Sequence, residues 1–195
     1  MKLQNILLEM LLIHPKSPVI YKEATWKEPA LISFGGTQSW KDLIVDDLDI
    51  KPAIWPPNNK QKSKVHGGFA KRTMRLMEEM GDFLESEHEF AIAGHSLGGA
   101  CAILCASYLT EEGKNIKNVF TFGTPFVGTR QFQKYYKRQN LWRITENYVT
   151  PKDPVVKKIP YIYKSVGTIK NVFFENDDEW KHHDLLTYFQ VLENI

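Results

Sequence analysis

Short apolar runs alternate along this chain with longer stretches of helical spacing. Ala30-Leu31-Ile32-Ser33-Phe34, Glu89-Phe90-Ala91-Ile92-Ala93 and Asn118-Val119-Phe120-Thr121-Phe122 are nearly continuous apolar runs. That is the pattern of strands buried on both faces. Residues 17–22 and 141–149 are expected to be further strands. Between these runs the apolar positions follow a helical period. Leu3, Ile6, Leu7, Met10 and Leu11 share one face of a first helix, and Phe69, Met74, Met77 and Phe83 line a long helix over 66–85. Helices are also expected over 100–109, 129–138 and 185–192. Residues 51–64, with Pro52, Pro56 and Pro57, read as a loop or broken ribbon. Residues 161–174 read as a hairpin around Gly167. Strands alternating with helices indicate an α/β class, with a mostly parallel central sheet flanked by helices, and residues 1–195 are expected to form a single domain.

One amphipathic stretch has two readings. Over 38–49, Trp40, Leu43, Ile44 and Leu48 fall on one side of a helix, and Asp42, Asp46, Asp47 and Asp49 lie largely on the other. It is either a surface helix packed permanently on the core or a movable segment whose apolar stripe turns outward.

The chemistry centres on Gly94-His95-Ser96-Leu97-Gly98. A buried strand precedes it and an Ala/Leu/Ile-rich helix follows. This is the strand–turn–helix context in which G-x-S-x-G forms a nucleophile elbow. The turn lifts the serine hydroxyl clear of the backbone, and the following helix aims its first N–H groups at any negative charge forming there. A serine hydroxyl becomes a nucleophile only when a base takes its proton, and that base needs an orienting acid. At such an elbow the chain order is Ser, then Asp or Glu, then His. Only His182 and His183 follow Ser96, and Asp153 is the one aspartate between Ser96 and residue 176. Asp153 lies just past an expected strand, whereas Glu146 lies inside it, and Asp177, Asp178 and Asp184 crowd the histidines. The residues alone leave His182 and His183 both open. His66 and His95 read as capping or packing residues. An oxyanion would take one donor from the Leu97 backbone N–H and a second from Thr37, in the loop Phe34-Gly35-Gly36-Thr37.

Composition narrows the picture further. The 195 residues are 43% hydrophobic and 25% charged with a formal net charge of +2, which gives no electrostatic footprint for nucleic acid. Cys101 and Cys105 lie one helical turn apart, which suits reduced core thiols better than a disulfide. No Cys/His spacing suggests a metal. Glu9 interrupts the apolar start of the chain, no small-residue cleavage site follows, and no run is long enough to span a bilayer. The expected location is therefore intracellular.

These stretches, in order, resemble the class 3 lipase family, the fungal triacylglycerol lipase type of α/β-hydrolase. The residues that carry the resemblance are Phe34-Gly35-Gly36-Thr37 with Trp40 and Asp42, then Val65-His66-Gly67-Gly68-Phe69 and Gly94-His95-Ser96-Leu97-Gly98-Gly99-Ala100. Thr121-Phe122-Gly123-Thr124-Pro125-Phe126-Val127-Gly128, Lys152-Asp153-Pro154-Val155, Ile159-Pro160 and His183-Asp184 ahead of Tyr188-Phe189 complete the set. The resemblance implies an α/β-hydrolase fold and a Ser96, Asp153 and His183 triad. It also implies an oxyanion hole at Thr37 and Leu97, and a lid after Thr37. Where the family usually carries Arg before the Gly-Thr pair, this chain has Gly35. The activity implied is hydrolysis of acyl-lipid esters without cofactor or metal, by a monomer in transient contact with a lipid interface. Two other readings stand beside it: an acyltransferase using the same triad, and a non-catalytic lipid-binding protein that keeps the fold.

Overall fold

The computed structural model describes residues 2–13, 17–36, 51–57, 62–157 and 162–193. In chain order the strands are β1 (Val19–Lys22), β2 (Ala30–Phe34), β3 (Pro52–Ile54), β4 (Lys64–His66), β5 (Glu89–His95), β6 (Asn115–Phe122), β7 (Thr145–Val149) and β8 (Thr168–Asn171). The helices are α1 (Leu3–Ile13), α2 (Gly67–Glu79), α3 (Gly81–Ser86), α4 (Leu97–Glu111), α5 (Arg130–Arg138), α6 (Pro154–Lys157) and α7 (Leu185–Glu193). Six strands form one sheet in the order β1-β2-β5-β6-β7-β8. β1 runs antiparallel to β2, and every other neighbouring pair is parallel. Parallel neighbours need a crossover. Helix α4 carries the chain from β5 to β6, and α5 carries it from β6 to β7.

The apolar runs become strands because helices cover both faces of the sheet. Ala30, Ile32, Phe34, Phe90 and Ile92 enter one core together with Leu76 and Met77 of α2 and the length of α4. The alternate residues Leu31, Ala91 and Ala93 enter a second core under Ile6, Leu7 and Met10 of α1 and Leu185, Tyr188 and Leu192 of α7. Helix α4 is buried continuously from Leu97 to Ser107, which explains why it has no polar stripe.

Several expectations change in detail. The long helix over 66–85 is two helices, because Met80 leaves helical geometry (φ −96°, ψ 4°) and α3 restarts at Gly81. Residues 141–143 form a 3-10 turn ahead of β7, entered through Asn140 in the left-handed region. The hairpin over 161–174 does not form. Lys164 pairs instead with Gly128, and β8 runs parallel to β7. Gly167 does mark a turn, at φ +79°, but it leads into a crossover strand rather than back along the same one. In the stretch read as a loop or broken ribbon over 51–64, Pro52–Ile54 forms β3 and pairs antiparallel with β4 at its far end, Lys64–His66. The segment over 38–49, with Trp40, Leu43, Ile44 and Leu48, lies outside the described residues, as does Thr37. Among the described residues no helix is long and apolar enough to cross a membrane.

The docking of α1 is open to a paired test. Leu7 is fully buried, whereas the adjacent Leu8 is 45% exposed. Leu7→Ala is expected to lower the unfolding free energy by about 2–5 kcal/mol. Leu8→Ala is expected to stay within about 0.5 kcal/mol of wild type. Urea unfolding followed by circular dichroism measures both.

Candidate active site

The site is built from loops that leave the carboxyl edge of the parallel strands, where ligands of such sheets bind. At the end of β5 the chain turns directly into α4 through Ser96, whose φ of 57° and ψ of −127° lie in a region that non-glycine residues rarely occupy. Such a residue costs of order 1–3 kcal/mol and persists only where its surroundings hold it. Here a strand buried from Phe90 to Gly94 and a helix buried from Leu97 to Ser107 hold it from either side. The Ser96 N–H also donates to the Phe122 carbonyl at 2.8 Å. The turn is so tight that a Cβ on Gly94 would stand 2.2 Å from the Gly98 carbonyl oxygen.

Asp153 follows β7 and is fully buried. Its Oδ1 accepts the Val155 N–H at 2.8 Å. His183 follows a 3-10 turn over Glu179–His182 and precedes α7. Its Nδ1 lies 3.0 and 2.9 Å from the two Asp153 oxygens, and its Nε2 lies 2.8 Å from Ser96 Oγ. A carboxylate can only accept, so it fixes the imidazole proton on Nδ1 and leaves Nε2 to accept from the serine hydroxyl. Ser96 is 2% exposed and His183 8%, so these contacts lie largely out of water, where hydrogen bonds are electrostatically stronger. Such a line can carry a proton from the hydroxyl to the ring.

The structure thus brings Ser96, Asp153 and His183 together and separates the two adjacent histidines. The His182 ring meets the Asn176 carbonyl at 3.0 Å and the edge of Phe174. His66 stacks on Phe69 and lies near Tyr163. Leu97 is the first residue of α4, a position whose N–H has no acceptor within the helix. Cys101 and Cys105 are free and buried, and burial pushes both thiols up, so they are packing groups. Among the described residues no group of three His, Cys, Asp or Glu side chains is placed to hold a metal ion.

Three residues around this line make contacts that the sequence did not assign. The Tyr188 hydroxyl donates to Asp153 Oδ2 at 3.1 Å and accepts the Thr150 N–H at 3.2 Å. Burial, with the Asp153 carboxylate, holds that phenol well above its usual pKa, so it stays a donor. His95 Nε2 lies 2.7 Å from the His183 carbonyl oxygen, tying the elbow to the backbone of the histidine it faces. Gly123 adopts φ +55°, and a Cβ there would lie 2.7 Å from Asp153 Oδ2 and 2.9 Å from His183 Nδ1. A side chain at this position would wedge into the Asp–His contact. All three stand in stretches that carry the family resemblance, but nothing in the sequence assigns them these contacts.

Known proteins share this arrangement of sequence and fold. The family described as lipase (class 3) matches residues 31–163. A Vibrio cholerae protein named Toxin TseL is 32% identical over 167 residues, covering 76% of this chain and 26% of that protein. A lipase of Rhizomucor miehei is 35% identical over 114 residues, covering 53% of this chain and 31% of that protein. The chain therefore spans about a quarter to a third of the length of these relatives. In fold, the solved structure of Rhizomucor miehei triacylglyceride lipase superposes with a TM-score of 0.63 at 21% identity, over 87% of this chain and 76% of that one. The sheet topology, the elbow and the match over 31–163 together make this chain an α/β-hydrolase of the class 3 lipase family.

Proposed function

We propose that the protein is a serine hydrolase that cleaves the carboxylic ester bonds of acyl lipids. The observation that supports this reading most is the hydrogen-bonded line from Asp153 through His183 Nε2 to Ser96 Oγ. The lipase relatives support the choice of acyl esters as the substrate class.

In this reading Ser96 Oγ attacks the ester carbonyl carbon while His183 Nε2 takes its proton. Asp153 keeps the ring in the tautomer that can do so and stabilises the imidazolium. The charge that gathers on the carbonyl oxygen is held by the Leu97 N–H and by Thr37. Collapse expels the alcohol, which receives the proton from Nε2, and leaves the acyl group on Ser96. Water activated by the same ring then releases the carboxylic acid and restores the hydroxyl. Trp40, Leu43, Ile44 and Leu48 act in this scheme as the lid stripe, on the strength of their spacing in the sequence. Tyr188 and His95 are positioning residues, the first through Asp153 and the second through the backbone of His183.

Hydrolysis of p-nitrophenyl butyrate and of a dispersed glyceride tests these roles. Ser96→Ala and His183→Ala are each expected to lower kcat on the order of a million-fold, because a triad acts as a unit. Asp153→Asn is expected to cost about ten-thousand-fold. His182→Ala is expected to retain most activity. If His182→Ala is the dead variant while His183→Ala works, the assignment fails.

Two neighbours give sharper tests. Gly123→Ala is expected to cut kcat about hundred-fold, since a displacement of about 1 Å at the reacting groups has that effect. Tyr188→Phe is expected to lower kcat about ten-fold with KM unchanged, the loss of one hydrogen bond to a charged group. Equal effects on KM and kcat in Tyr188→Phe would remove it from the positioning of Asp153.

A further inference from the structure

Helix α5 reads Arg130-Gln131-Phe132-Gln133-Lys134-Tyr135-Tyr136-Lys137-Arg138 and contains no carboxylate. Phe132, Tyr135 and Tyr136 anchor it to the core. Arg130, Lys134 and Lys137 fall at i, i+4 and i+7, so they share one exposed face. Among the described residues none of the three has a carboxylate partner. Lys137 and Arg138 at the end of the helix suit its dipole, but Arg130 stands at the first position, where the dipole opposes a cation. Arg130 and Lys134 also repel one another at i,i+4 spacing. Lys137 gains from the dipole and from the Trp142 ring, whereas Arg130 and Lys134 gain no such compensation from their position on the helix.

That face lines a cleft of about 380 Å³, within the range of small-ligand sites. The far wall is Ser165, Val166 and Gly167, Trp142 also lines it, and no carboxylate does. The two walls are fixed relative to one another by contacts that do not depend on a ligand. The Gln133 amide donates to the Ser165 carbonyl at 2.8 Å, and the Asn147 amide donates to the Val166 carbonyl. Gly167 is packed so closely that a Cβ would stand 2.6 Å from the Thr145 methyl. Trp142 is 36% exposed, with Lys137 Nζ 5.3 Å and Arg143 Cζ 5.5 Å from its ring. Trp142 precedes β7 and Gly167 precedes β8, so this end of the cleft lies toward the amino edge of the sheet, opposite the edge that carries Ser96.

We propose that this cleft binds a ligand carrying two or more phosphate groups. The helical rise from Arg130 to Lys137 is about 10 Å, too long for one phosphate and suited to several on one molecule. Arg130 supplies a planar fork of donors, and the two lysines supply compact point charges. The exposed edge of Trp142 and the Val166 wall accommodate an uncharged portion of the same molecule. The phosphates belong either to a soluble oligophosphate or to a lipid headgroup bearing several phosphates.

Binding of tripolyphosphate by titration calorimetry, and of phosphatidylcholine vesicles containing phosphatidylinositol bisphosphate by co-sedimentation, separates these sources. Each is measured at about 0.15 M salt, where exposed charges are largely screened. The variants are the triple Arg130→Gln/Lys134→Gln/Lys137→Gln, the single Lys134→Glu and a charge-matched control, Lys27→Gln/Lys71→Gln/Lys117→Gln. The expected result is micromolar binding of one probe, at least ten-fold tighter than inorganic monophosphate. The triple variant and Lys134→Glu are expected to lose at least ten-fold, and the control less than three-fold. Tripolyphosphate binding assigns a soluble ligand, and binding to vesicles alone assigns the headgroup. Ester hydrolysis by the triple variant is expected to stay within two-fold of wild type. The proposal is overturned if neither probe binds below about millimolar, or if the control loses as much as the triple variant.

Discussion

The His183 imidazole is the group on which the rest of the site depends. It must reach Ser96 on one side and Asp153 on the other, residues 87 and 30 positions away in the chain. A ring has a fixed span, so the three loops must hold their places to within a few tenths of an ångström for both contacts to exist. The sheet supplies that constraint. β5, β6, β7 and β8 are successive parallel neighbours, so the segments that follow them, carrying Ser96, Gly123, Asp153 and His183 in turn, leave the same edge. Beyond the ladder, Ser96 N–H binds the Phe122 carbonyl and Gly123 N–H binds the Tyr148 carbonyl at 2.9 Å, lacing the strand ends together just under the site.

Burying such a polar line is costly unless each group finds partners. Asp153, fully buried, accepts from the Val155 N–H, the Tyr188 hydroxyl and His183. The His183 carbonyl meets His95, and the His182 carbonyl accepts the Thr150 hydroxyl at 2.7 Å. These bonds connect the elbow, the β7 loop and the turn before α7 into one framework. Removing any one group leaves its partners short of a hydrogen bond in the interior, and that deficit adds to the loss. The left-handed Ser96 adds about 1–3 kcal/mol of strain. It is sustained by the burial of β5 and α4, which cannot be rearranged without opening the core.

Much of this was legible in the residues. The apolar runs marked the strands because both faces are covered, and the glycines marked the elbow because the turn excludes side chains. Asp153 emerged because so few acids stand between Ser96 and the histidines. The order of His182 and His183 was not legible from spacing, since the two are adjacent and a 3-10 turn decides which faces the serine. The roles of Gly123, Tyr188 and His95 depend on where distant segments pack, which no local pattern carries. For the same reason Gly167 announced a turn but not the partner of the strand after it. The cationic face of α5 is visible as a pattern, whereas the cleft it lines needs the 165–167 segment brought beside it.

The central claim is that this framework makes the Ser96 hydroxyl a nucleophile. Reaction of the folded protein with a fluorophosphonate, followed by intact mass and peptide mapping, measures that most directly. The account requires one covalent adduct on Ser96, slowed by orders of magnitude in folded His183→Ala protein. Labelling at a different residue, or none in folded wild-type protein, would contradict it.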